Sequence, residues 1–200
     1  VAEKLPIVKE PHKVLRNEAK EIPLREITGK KIQKLISDMK ATLAATPDGV
    51  GLAAPQIGRS LSLFIISDEA NFIGGKGGKK ESLPPLAAHG GGGEKKAGSE
   101  KKEAPKWHYY VFVNPVVKNC SRKKIDGAEG CLSVPETFGV IKRHEKMTVE
   151  AYDENGKKFT RGASKFFARV IQHELDHLEG ILFIDKAEKL IAKKSRQKHD

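Results

Sequence analysis

The sequence predicts an α+β fold of consecutive β-strands and one buried α-helix, with an N-terminal helix and a short C-terminal helix. Three observations predict it. A chain of 200 residues suits one domain with its own hydrophobic core. Short β-rich runs follow one another without the strand–helix alternation of a parallel sheet. One helical stretch near the C-terminus, opened by Ser164 and running through Leu178, is apolar on nearly every side, which marks a buried helix.

Taken in order, the first element runs from Ile27 to Ala45. Ile32, Leu35, Ile36, Met39 and Leu43 recur at helical spacing, Thr28 is its expected N-cap, and Pro47-Asp48-Gly49 ends it. Gly49 to Gly58 is glycine-rich and apolar, and Leu61 to Ile66 reads as a buried strand. From Asn71 to Lys106 the composition changes: nine glycines and eight lysines accompany few large apolar residues. Such a segment buries too little surface to offset its ordering entropy, so 71–106 is expected to be a flexible insertion. Tyr109 to Val113 reads as a strand ended by Asn114-Pro115. Further strands are expected at Val116 to Cys120, Val140 to Lys142 and Met147 to Tyr152. Asp153-Glu154-Asn155-Gly156 supplies a hairpin turn with Lys157 to Gly162 as the return strand. Ser164 is expected to cap the central helix and Gly180 to follow its C-cap. Asp185 to Lys194 reads as a short basic terminal helix. The expected organisation is one domain over 1–185 carrying the insertion, then a basic helix or tail over 186–200.

The formal net charge is +11, from 37 basic and 26 acidic residues. The basic residues are scattered or concentrated in the insertion and the tail, with no aromatic-interleaved basic motif, so no DNA groove is expected. No run reaches the roughly 20 apolar residues of a membrane span, and Val1 to Glu10 does not read as a signal peptide. Two cysteines, Cys120 and Cys131, fit a reducing compartment, although counting leaves a single bridge open.

The sharpest chemical signal is His173-Glu174-Leu175-Asp176-His177. Histidines four apart stand one turn apart on one helix face, so both imidazoles can reach one metal ion, with Glu174 placed to contact a bound water. A chance pair of surface histidines is the bland alternative. The apolar helix argues against it, because buried imidazoles beside a buried carboxylate are costly unless paired or ligated. The central helix is therefore read as metal-binding. A third ligand is required for a catalytic site. Glu179, Asp185 and Glu188 follow the pair, and Cys131 precedes it in Glu129-Gly130-Cys131-Leu132-Ser133; composition leaves open whether Cys131 is a thiolate ligand or a small core residue.

Gly49-Val50-Gly51-Leu52-Ala53-Ala54-Pro55-Gln56, Glu129-Gly130-Cys131-Leu132-Ser133 and Gln172-His173-Glu174-Leu175-Asp176-His177 resemble, in order, the three signature motifs of the peptide deformylase family. The likeness runs from about Val8 to Asp185, interrupted by the insertion, and it implies a fold of antiparallel β-strands wrapped around the central metal-binding α-helix. It implies Cys131, His173 and His177 as ligands of one divalent metal ion, Fe²⁺ in the cell, with Zn²⁺, Ni²⁺ or Co²⁺ able to substitute. It implies Glu174 as the acid–base, with the Gln56 amide and the Leu132 N–H as donors to an oxyanion. The implied reaction is hydrolysis of the formyl group from N-formylmethionyl peptides and nascent chains. Gly49, Val50, Gly51, Leu52, Glu129, Gly130, Phe166 and Val170 are the expected substrate contacts, with Val50, Leu52, Phe166 and Val170 around the methionine side chain. Family members usually carry aliphatic residues where Phe166 and Phe167 stand, which changes the size of that pocket.

Smaller roles are expected elsewhere. Glu129 should pair with Arg143, Asp176 should pair locally, Gln172 should support rather than ligate, and Arg169 should point elsewhere on the helix than the methionine pocket. Contact of the basic C-terminus with ribosomal RNA, and a bacterial cytoplasm or an organelle as the compartment, complete the expectations. Two rivals stand beside this reading: another HExxH metallopeptidase or amidase, and a non-catalytic, metal-stabilised RNA- or ribosome-binding module.

Overall fold

Strand β2 (Leu63–Ser67) is buried along its whole length. Successive side chains of a strand face opposite ways, so a run of this kind requires cover on both sides. The computed structural model, which describes residues 2–47, 49–71, 73 and 108–192, supplies that cover with two helices. On one side Leu63 and Ile65 join Ile32, Ile36, Met39 and Leu43 of α2 (Lys30–Ala44). On the other, Phe64 and Ile66 join Phe167, Val170, Ile171 and Leu178 of α3 (Lys165–Leu178).

The strands form two antiparallel sheets. The larger has the order β1-β2-β3-β6-β7, with β1 at Gly51–Ala53, β3 at Tyr109–Cys120, β6 at Lys146–Tyr152 and β7 at Lys158–Ser164. The smaller has the order β4-β5-β8, with β4 at Lys124–Cys131, β5 at Val134–His144 and β8 at Lys189–Ala192. Helix α3 packs its apolar face on the larger sheet and sends Arg169, His173 and Asp176 toward β4 and β5, so it is the central element. This is the α+β arrangement the sequence predicts.

Several boundaries differ from expectation, each for a local reason. Ile27 belongs to a separate short helix, α1 (Leu24–Ile27), and Thr28 closes that helix; α2 starts later, behind Gly29. Asn114-Pro115 does not end a strand. Asn114 adopts φ 48° inside β3, at a register shift, and its side chain bonds both the N–H and the C=O of Ile22. The Asn-Pro signal marks a bulge rather than a stop. The expected terminal helix shrinks to α4 (Phe183–Lys186), and Lys189–Ala192 instead pairs with β5 as β8. There the ladder outweighs helix propensity, which is a weak prior.

Ser164 occupies the N-cap of α3 but makes no side-chain cap bond. The other end closes as expected. The N–H of Gly180 (φ +72°) bonds the His177 carbonyl, and the N–H of Ile181 bonds the Asp176 carbonyl.

The N-terminal segment is threaded through this frame. The N–H of Val8 bonds the Gln56 carbonyl at 2.8 Å, that of Glu10 bonds the Ser133 carbonyl at 2.9 Å, and that of Ala19 bonds the Leu178 carbonyl at 2.8 Å. Both cysteines are free. Among the described residues no helix is long and apolar enough to cross a membrane. The expected insertion lies outside the described residues apart from Asn71 and Ile73, as does the tail beyond Ala192.

Candidate metal centre

Three side chains from two elements meet at one point. Helical spacing brings the rings of His173 and His177 to 4.9 Å between centroids, nearly perpendicular to each other. β4 ends at Cys131, whose Sγ lies 3.2 Å from His177 Nε2. One ligand atom from each of Cys131, His173 and His177 lies within 4.8 Å of the others. Among the described residues this is the only cluster of its kind. Donor atoms about 2.0–2.3 Å from a shared tetrahedral ion are spaced on that scale.

The electrostatics fit a cation. Burial alone would raise the Cys131 thiol, yet His177 and His173 beside it hold it well below the ordinary thiol value, so a thiolate is favoured. Burial pushes Glu174 up to about 7 against the pull of His173 and His177. Glu174 Oε2 and His177 Nδ1 are buried without a protein partner among the described residues. A soft thiolate, two imidazoles and an orphaned carboxylate oxygen suit a transition metal bearing an activated water.

The supporting contacts are specific. Glu129 Oε2 accepts from His173 Nδ1 at 3.0 Å, which leaves Nε2 of that ring to face the cluster. Glu129 also takes Arg143 through Nε at 2.8 Å and Nη2 at 2.9 Å, the ion pair the sequence suggests. Burial would raise the Glu129 carboxyl, but Arg143 and His173 hold it far below the usual carboxylate range. Asp176 takes Arg143 at 2.6 Å and Lys186 at 2.6 Å. Gln172 bonds the main chain of His144 with both ends of its amide, at 3.0 Å each.

Gln56 is buried, and the Ala53 N–H fixes its Oε1 at 2.8 Å. Its Nε2 therefore points at Cys131 Sγ and Ser133 Oγ, each 3.4 Å away. Leu132 follows Cys131 directly, and its side chain would touch a β-carbon at Gly49. Gly51 sits against Glu174, and Gly130 sits under the Phe138 ring. Val50, Phe166 and Val170 pack together in the α3-side core. Phe166 also lines a cavity of about 210 Å³ with Phe167, Arg161 and Asn71.

Two expected substrate contacts are placed elsewhere. The Leu52 side chain is fully buried among α2-side core residues, because its neighbours Gly51 and Ala53 take the opposite face of β1. Glu129 has both carboxylate oxygens committed to arginines and His173, so it fixes the orientation of the His173 ring. Arg169 points elsewhere than Phe166 and Val170 and reaches Glu129 Oε1 at 2.9 Å, a contact the sequence did not suggest. Ser133 and Lys9 went unassigned, although Ser133 bonds Cys131 Sγ through its N–H at 3.4 Å and Lys9 Nζ bonds the Leu132 carbonyl. An arginine inside an otherwise apolar helix was the visible signal for Arg169.

Comparison with known proteins agrees with this geometry. The family profile described as Polypeptide deformylase matches residues 4–193. Peptide deformylase 1 of Vibrio vulnificus is 36% identical over 199 residues, covering 98% of this chain and 95% of that protein. The chloroplastic/mitochondrial peptide deformylase 1A of Arabidopsis thaliana is 38% identical over 173 residues, covering 86% of this chain. This chain spans 57% of that plant relative and 58% of a tomato chloroplastic one. The crystal structure of a class I type b peptide deformylase from Acinetobacter baumannii, bound to Met-Ala-Ser, superposes with a TM-score of 0.71 at 29% identity, covering 93% of this chain and 99% of that one.

Proposed function

Because the chain belongs to the peptide deformylase family, we propose that it hydrolyses the N-terminal formamide of formyl-methionyl nascent chains, giving formate and a free amine. The observation that carries this reading is the convergence of Cys131, His173 and His177 beside Glu174 and the Gln56 amide. A divalent ion held by those three side chains would supply Lewis-acid activation of water. We assign iron as the cellular ion by family likeness, with zinc, nickel or cobalt able to replace it.

The chain's own residues account for the rest. Glu174, with a carboxyl near 7 and a free buried oxygen, takes the proton of the attacking water and returns it to the departing amine nitrogen. The water oxygen bonds to the formyl carbon, and the C–N bond then breaks. Charge gathering on the formyl oxygen meets the Nε2–H of Gln56, aimed in advance by the Ala53 bond, and the Leu132 N–H. One such donor is worth roughly 3 kcal/mol of barrier. Among the described residues β1 is the outer strand of its sheet, so its edge at Gly51, approached through Gly49 and Val50, is the proposed seat of an extended peptide, with Gly130 as a further proposed contact. Val50, Phe166 and Val170 are the proposed apolar seat for methionine.

Contact between the basic tail and ribosomal RNA extends the proposal, as does work in a bacterial cytoplasm or an organelle, where formyl-methionine starts translation. The test is an anaerobic assay on a formyl-Met peptide with metal analysis of the same sample. Formate release in step with bound metal supports the reading. Metal-replete protein that leaves the peptide intact overturns it.

A further inference from the structure

Arg169 stands one helical turn before His173, so both project toward β4. Its side chain is only 7% exposed. Nη1 donates to Glu129 Oε1 at 2.9 Å, to the Ile141 carbonyl at 2.9 Å and to the Gly127 carbonyl at 3.2 Å; Nη2 donates to the Ile125 carbonyl at 2.8 Å. One guanidinium thus binds α3 to main-chain atoms of both β4 and β5. Gly127 makes the approach possible, since a β-carbon there would lie 2.7 Å from Arg169 Cζ.

The Glu129 carboxylate divides its oxygens between two residues of α3: Oε1 takes Arg169 and Oε2 takes His173 Nδ1. Arg143 holds the same carboxylate from β5. Without Arg169, Oε1 keeps only Arg143 Nε, and Oε2 keeps Arg143 Nη2 and His173 Nδ1, so the acceptor of the His173 ring is held by one arginine in place of two. The bonds from α3 to the Ile125 and Gly127 carbonyls of β4 are also lost, and β4 is the strand that ends at Cys131.

We propose that Arg169 is a positioning residue: by locking Glu129 and clamping α3 to β4 and β5, it sets the orientation of His173 and its distance from Cys131, and so the affinity of the site for a divalent cation. The inference rests on Cys131, His173 and His177 being the ligands. A plain packing role predicts something different, because methionine fills similar volume and would leave the cation site unchanged. Lysine keeps the charge, but its ammonium lacks the planar fork that serves several acceptors at once.

The test titrates metal-free protein with Co²⁺, following the thiolate charge-transfer band against a competing chelator. It compares wild type, Arg169→Met, Arg169→Lys, Glu129→Gln, the Arg169→Met/Glu129→Gln pair and a remote core control, Ile36→Ala. Arg169→Met is expected to weaken binding about 10- to 100-fold, as for other groups that orient ligands, with Arg169→Lys in between. The pair should lose less than the product of its two singles, because both act through one carboxylate. Ile36→Ala should melt earlier yet bind within about threefold of wild type, since it touches no ligand-orienting group. If Arg169→Met fails to fold, Arg169→Lys and Glu129→Gln carry the comparison. Wild-type affinity in the folded Arg169 variants, or an equal loss in Ile36→Ala, overturns the inference alone. Wild type that takes up no Co²⁺ overturns the ligand assignment with it.

Discussion

Gly51 and Glu174 are in contact: a β-carbon at Gly51 would lie 2.3 Å from Glu174 Oε1. The edge strand offered to the peptide and the proposed proton carrier therefore share one space. Gly51→Ala must displace the carboxylate. A shift of about 1 Å can cost on the order of 100-fold in rate. We expect kcat on a formyl-Met peptide to fall by about that factor while bound metal per chain stays unchanged; kinetics with metal analysis on one preparation checks both.

Glu174→Gln should abolish turnover with metal retained. It also carries a stability signature in the metal-free protein. Burial raises the Glu174 carboxyl from an ordinary 4.5 to about 7. A folded-state value above the unfolded one means that the folded state holds the extra proton, so stability is full below about 4.5 and falls as pH rises through about 7. Metal-free Glu174→Gln should lack that decline and exceed metal-free wild type at pH 8 by roughly 2 kcal/mol. Urea unfolding at pH 5 and pH 8 measures the difference; equal slopes for the two proteins would count against it.

Metal removal should lower thermal stability. A ligand at about 100 times its Kd stabilises the folded state by about 2.7 kcal/mol, and each kcal/mol moves Tm by about 2–4 °C at this size. A drop of about 5–10 °C on chelation, reversed by adding the ion, is expected from those two values. Cys131→Ala should show little change on chelation. Calorimetry in both states checks it.

Gly180→Ala should cost about 1–3 kcal/mol, because φ +72° disfavours a side chain and the new β-carbon would lie 2.7 Å from the Arg16 main chain. Urea midpoints measure the loss. Retained metal affinity in the surviving folded fraction would show that the helix end is structural and the ligand pair is intact.

What could be read ahead of the structure followed the range of the forces involved. β2 and α3 were legible because their patterns are local: an unbroken apolar run and a periodic one. The two histidines were legible because a helix fixes their spacing. β4 went unseen. Lys124-Ile-Asp-Gly-Ala-Glu-Gly-Cys carries charges and glycines that disfavour a strand alone, and its ladder with β5 and the arginines behind it supply what propensity lacks. Cys131 was a candidate by its chemistry, but only resemblance chose a ligand over a core residue, since no spacing rule links it to residues more than forty positions away. The partners of Arg169 went unread for the same reason: Ile125, Gly127 and Ile141 are far off in sequence, and helix geometry alone does not reveal them. The Leu52 side chain is turned toward α2 by the alternation of β1, which an apolar residue in a glycine-rich run does not announce.

The stitching of early residues to late ones also bears on manufacture. Arg16 pairs with Asp185, Ala19 hydrogen-bonds to Leu178, and Val8 and Glu10 fasten to Gln56 and Ser133. A growing polypeptide presents its thiol some forty residues before its imidazoles, and the closing clasps come later still. Competence for the proposed chemistry thus waits until the segment through Asp185 has been made. No share of it is on offer from a shorter stretch that already holds the thiol.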